Sequence, residues 1–158
     1  MRLTFTKGPA KYDWLDIVRD DGSAVPRIDC PKQGIIPHDM VHYAVECVLE
    51  ARGFLGGVAD GAAPKFERGD AYAEAVERLV ETIQAEAWSG PAPAAELVAL
   101  YHLTCDARCH AGVPVDEAAI DAIRAHMADL DARWKAVPVG GTLSLDFPGP
   151  MPAPGAPL

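Results

Sequence analysis

Strand-like alternation at both ends of this chain, with helical periodicity between them, is the feature that most constrains its fold. Near the amino end, Leu3 and Phe5 alternate with Thr4 and Thr6, and Leu15 and Ile17 alternate with Trp14, Asp16 and Val18. Near the other end, Leu143, Leu145 and Phe147 alternate with Thr142, Ser144 and Asp146. A period of two marks strands with two unlike faces. Asp20-Asp21-Gly22-Ser23 is a turn signal, because Asp and Ser bond their own backbone and Gly takes positive φ at little cost. The run Ala24 to Ile28 is expected to return antiparallel, with Pro26 removing a ladder donor and pushing it to a sheet edge. The last run is expected to pair with this N-terminal sheet.

Four helices are expected between the strands. The first opens at Pro37, carries Met40, Val41, Ala44, Val45, Val48 and Leu49 on one side, and stops at Gly53. Asp39, Glu46 and Glu50 fall on its other, polar side. Residues 53–64 read as a Gly/Ala-rich loop. The second helix runs from about Asp70 to Trp88 through Tyr72, Val76, Leu79, Val80 and Ile83. The third starts near Pro93 with Leu97, Leu100 and Tyr101. The fourth, from about Asp116 to Val137, has Ile120, Ile123, Met127, Leu130 and Trp134 at steps of three and four. The fold class is therefore α+β: a small antiparallel sheet packed with about four helices.

The 158 residues suit one domain. The expected division is a single α+β unit over 1–147 and a tail over 148–158, where Pro at 148, 150, 152, 154 and 157 disfavours helix and ladder alike. A net charge of −9 argues against a nucleic-acid footprint or attraction to anionic lipid, since both need clustered Lys and Arg. No stretch approaches a membrane span, and the first residues lack the pattern of a secretion signal, so a cytoplasmic location is expected. There Cys30, Cys47, Cys105 and Cys109 are expected to remain thiols unless a metal claims them. Small molecules, cations or proteins remain as partners, and the alternative to a metal function is a non-catalytic module that binds another protein through its acidic face or Pro-rich tail, or that dimerises through an apolar helix.

Chemistry concentrates in His38-Asp39-x-x-His42-x-x-x-Glu46. On a helix these positions, spaced by four, fall within an arc of roughly 80° and rise about 6 Å per step. His38 with His42, or His42 with Glu46, could therefore ligate one metal completed from elsewhere, and imidazole plus carboxylate suits zinc, manganese or non-haem iron. Asp39 or Glu46 would then orient an imidazole or act as base towards an ion-activated water. The competing reading makes His38 a bond at the helix start, His42 a satisfied seam histidine, and Asp39 and Glu46 solvated charges. His126, beside the apolar stripe of the fourth helix, is a candidate further ligand.

This pattern resembles the His-Glu-x-x-His helix of zinc proteases, with Asp39 standing where that family has its Glu base. It is also similar to the His-Asp-x-x-His motif of the coenzyme Q biosynthesis scaffold family, a five-residue likeness that implies a metal role for His38, Asp39 and His42. That family carries a Glu twelve residues after the second His, where this chain has Phe54. The layout as a whole resembles a group of small bacterial proteins carrying Pro-His-Asp-x-x-His-Tyr, which implies an α+β domain.

A second constellation is His102-x-x-Cys105-x-x-x-Cys109-His110. On an unbroken helix, His102, Cys105 and Cys109 would share a flank, but the spacing is not that of a structural zinc site, and core packing of the thiols is the expectation. Cys47 has no neighbouring base in sequence. Gly53, Gly56, Gly57 and Gly61 follow a helix rather than a strand, the wrong order for a phosphate loop.

Overall fold

The computed structural model describes residues 1–65 and 70–148. Four strands form one antiparallel sheet in the order β3-β2-β1-β4: β1 (Arg2–Thr6), β2 (Tyr12–Val18), β3 (Ile28–Pro31) and β4 (Thr142–Asp146). The two ends of the chain do meet, with Leu3 opposite Leu145 and Phe5 opposite Leu143 across β1 and β4. On the other side of β1, Leu3 faces Ile17 and Phe5 faces Leu15. Leu3, Phe5, Leu15, Ile17 and Leu145 are all buried, so the period-two pattern defines one core face. The N-terminal ammonium closes the sheet corner by donating to the Phe147 carbonyl and to Asp20.

Five helices are present among the described residues: α1 (His38–Leu49), α2 (Phe54–Ala59), α3 (Ala71–Ser89), α4 (Ala94–Asp106) and α5 (Glu117–Ala136). Two helices start on side-chain caps: Asp70 accepts from the Tyr72 and Ala73 amides, and Asp116 accepts from that of Ala119. Ile120, Ile123, Leu130 and Trp134 of α5 are buried, and Trp134 meets Phe5 edge-on at 6.4 Å between centroids. α1 packs between α3 and α5, and α4 lies against both α3 and α5. None of the described helices is long and apolar enough to cross a membrane.

The structure corrects the sequence expectations at three places. The returning strand is Ile28–Pro31 rather than 24–28; only an isolated bridge joins Ala24 to Val18. Ile28 lies opposite Leu15, so residues 25–27 face only 16–17, and the ladder resumes beyond Pro26 with one extra residue. It is an edge strand, as expected. Second, the Gly/Ala-rich stretch contains α2, because Leu55 and Val58 are fully apolar anchors, 0% and 1% exposed. Third, α1 ends not at Gly53 but at Leu49, with Glu50 in the left-handed region at φ 50°. Most of the expected tail, residues 149–158, lies outside the described residues.

One buried hydroxyl ties three segments together. Tyr101, fully buried on α4, donates to the Ala75 carbonyl of α3 and accepts from the Val113 amide, which follows α4. Tyr101→Phe strands that amide in the core, so a loss of about 1–3 kcal/mol is expected. Urea unfolding checks it, and an unchanged midpoint would show that water reaches Val113.

Candidate metal centre

α1 begins where Pro37 presets the first turn, and its register places His38, Asp39, His42 and Glu46 towards neighbours rather than solvent. His42 is 2% exposed and Glu46 is 1% exposed, so neither is a solvated group on a polar face. The cause is α2, which covers this side of α1. Phe54 puts its ring 5.5 Å from that of His42. The amides of Gly53, Leu55 and Gly56 all donate to the Glu46 carboxylate, at 3.0, 3.0 and 2.9 Å.

His42 lies between two carboxylates. Its Nδ1 is 3.1 Å from Glu46 Oε1, and its Nε2 is 2.9 Å from Glu77 Oε2 on α3. The His38 ring stands edge-on to His42 at 4.8 Å, with Nε2 3.5 Å from the other Glu77 oxygen. Single ligand atoms of His38, His42 and Glu77 all fall within 4.8 Å of one another, the one such His/Cys/Asp/Glu group among the described residues. The Glu77 side chain is 13% exposed and that of His38 is 37% exposed, so His38 is the member of the cluster most open to solvent.

Hydrogen-bond direction fixes the His38 tautomer. The Ile36 carbonyl can only accept, so Gln33 Nε2 donates to it and Gln33 Oε1 is left to accept from Gln84 Nε2. Gln84 Oε1 then accepts from His38 Nδ1 at 2.6 Å. His38 therefore carries a proton on Nδ1, and its Nε2 faces Glu77. His42 Nδ1 likewise donates to Glu46, which can only accept, and in the metal-free protein its Nε2 donates to Glu77. Both imidazoles are thus held from behind, with both Nε2 atoms directed to one carboxylate, the arrangement by which outer partners orient metal-binding histidines.

The local charge balance favours a cation. Burial alone would push the His42 pKa down, but the Glu46 and Glu77 carboxylates outweigh it and raise it to about 10. Burial likewise works to raise Glu77, and the two imidazoles overcome it, holding the carboxyl well below its usual range. Two carboxylates facing one imidazole hold a proton between them; an ion on Nε2 would take that proton's place.

The structure brings together His38 and His42 but not Glu46 as a third convergent group. Both Glu46 oxygens are taken by amides and by His42 Nδ1, on the far side of that ring from Glu77. Asp39, where the protease-like helix would carry its base, is buried and accepts from the Cys30 thiol at 3.4 Å, away from the imidazoles. Burial and the Asp39 carboxylate together push the Cys30 pKa up, so this is a thiol. His126 stacks on Tyr43 at 6.3 Å, outside the cluster. The second constellation does not assemble either, because α4 ends at Asp106 and Cys109 lies beyond it at φ 59°, exposed, while Cys105 is buried. Cys47 is half-buried, and burial raises its pKa to about 11.

Glu77 and Gln84 were missing from the sequence reading. Seven apart on α3, they share a stripe beside Val76, Val80 and Ile83, and two polar residues in register beside an apolar stripe were the available signal.

No protein-family model, curated protein or solved structure matches this chain.

Proposed function

We propose that the protein binds a divalent cation through His38 Nε2, His42 Nε2 and the Glu77 carboxylate. The observation that carries this reading is the shared polarity of the two imidazoles: each Nδ1 is spent on an acceptor behind the ring, and each Nε2 faces the same carboxylate. Two nitrogens and one carboxylate suit zinc, manganese or non-haem iron. Bond lengths near 2.0–2.2 Å would draw the three groups closer than they stand.

Three protein ligands leave a position for water or substrate, on the solvent side past His38. The chemistry in keeping with such a site is Lewis-acid activation of that water or of a bound oxygen. Asp39 is committed to Cys30 and Glu46 lies behind His42, so neither reaches the open side as a base. The ion itself would supply the activation.

Metal analysis of protein purified without an affinity tag, followed by titration of chelator-stripped protein with zinc and with manganese, tests the reading. Uptake near one equivalent is expected for the wild type, and its loss in His42→Ala and Glu77→Ala. A folded wild-type protein that takes up neither ion overturns it.

A further inference from the structure

We infer that Glu46 is a positioning residue of this centre, locked by the backbone of α2 so that it holds His42 with Nδ1 protonated and Nε2 presented to the ion. The inference rests on the metal reading above and adds to it a residue that touches no ion. Glu46 Oε1 accepts from His42 Nδ1 and from the Leu55 amide, and Oε2 accepts from the Gly53 and Gly56 amides. Four donors on two oxygens fill the sites a carboxylate offers, so the group has no freedom to turn.

The backbone is shaped to approach this carboxylate. A Cβ on Gly53 would stand 2.7 Å from Glu46 Cδ and Oε1 and 2.6 Å from Val76 Cγ1, distances that real Cβ atoms do not reach. Gly56 lies close as well, with a Cβ there 3.5 Å from Oε2. A side chain that merely satisfied the first turn of a six-residue helix would need only the three amides. The fourth donor, His42 Nδ1, couples that turn to the cluster. His38 receives the equivalent support from the Gln84–Gln33 relay, so each imidazole has its own backstop: one anchored on α2, the other on the carbonyl of Ile36.

The test uses zinc as the probe on stripped, full-length protein. In the zinc-loaded wild type, long-range proton–nitrogen NMR of His42 is expected to show Nδ1 protonated and Nε2 metal-bound. Glu46→Gln is expected to weaken zinc binding 10–100-fold in chelator competition, the range typical for loss of an outer partner. Zinc on His42 Nδ1 overturns the inference. So does wild-type zinc affinity in folded Glu46→Gln, which would leave Glu46 a structural group while the metal reading stands. Failure of the wild type to take up zinc instead overturns the metal reading itself. Should Glu46→Gln not fold, the wild-type spectrum decides alone.

Discussion

Glu46→Ala is expected to lower the unfolding free energy of metal-free protein by about 3–5 kcal/mol, the cost of removing one partner from a buried ionic pair. In a domain of this size that lowers the melting midpoint by roughly 10 °C or more. The wild-type carboxylate is fully enclosed and accepts three amides and one imidazole. Alanine leaves the Gly53, Leu55 and Gly56 amides without acceptors and deprives the buried His42 of one counter-charge, while a cavity opens between α1 and α2. Arg133→Ala is the control. Its pairing with Asp129 is a solvated surface contact, worth at most about 1 kcal/mol. Thermal denaturation of chelator-treated proteins compares the two. A Glu46→Ala midpoint as close to wild type as that of Arg133→Ala would mean that α2 does not depend on this carboxylate.

The same residue shows where sequence patterning stops being informative. Periodicity assigned Glu46 to the face of α1 opposite Met40, Val41 and Ala44, and polar faces ordinarily meet water. Here a later segment covers it. α2 was not legible because three of its features oppose helix propensity or length: it has six residues, two of them glycine, and no side-chain cap. What makes it a helix is tertiary, namely burial of Leu55 and Val58 together with a carboxylate from α1 that satisfies its first amides. Glycine in this stretch reads as a helix stop and a loop, whereas Gly53 is required for close approach to Glu46.

The sheet was legible because each strand declares its own face, and the α5 stripe was legible because it repeats at five positions over about four turns. The offset of β3 was not, since a single Pro moves a ladder by an amount that depends on its partner strand. At the centre, His38 and His42 were visible as an i, i+4 pair, a purely local relation. Glu77 belongs to a different helix, and only the packing of α1 on α3 makes it the convergent carboxylate. Local spacing thus identified two of the three grouped residues and pointed to Glu46 as the acid, which is nearer in sequence, while Glu77 is the carboxylate facing both Nε2 atoms.

The stability of metal-free protein is expected to fall by about 3–5 kcal/mol as pH rises from about 6.5 to about 10. His42 is enclosed by Glu46 on its own helix, by Glu77 on α3, by the neighbouring His38 ring and by the uncharged Phe54 ring of α2. Its pKa in the fold is about 10 against an ordinary 6.5, because the two carboxylates outweigh burial. The folded chain therefore holds a proton that the unfolded chain releases within this window, and stability decreases with pH there; below 6.5 the contribution is complete. Glu77 has the opposite sign. Its carboxyl is held low in the fold, so its contribution is present above 4.5 and is lost only as pH falls through that depressed value. Urea midpoints at pH 6.5 and 9.5 test this, with His42→Gln expected to show a much flatter profile; identical slopes in the two proteins would contradict it. The proton on Nε2 that strengthens the metal-free fold also competes with an ion for the same lone pair. Added zinc is therefore expected to raise the midpoint least at pH 6.5 and increasingly towards pH 10, cancelling the slope seen without it.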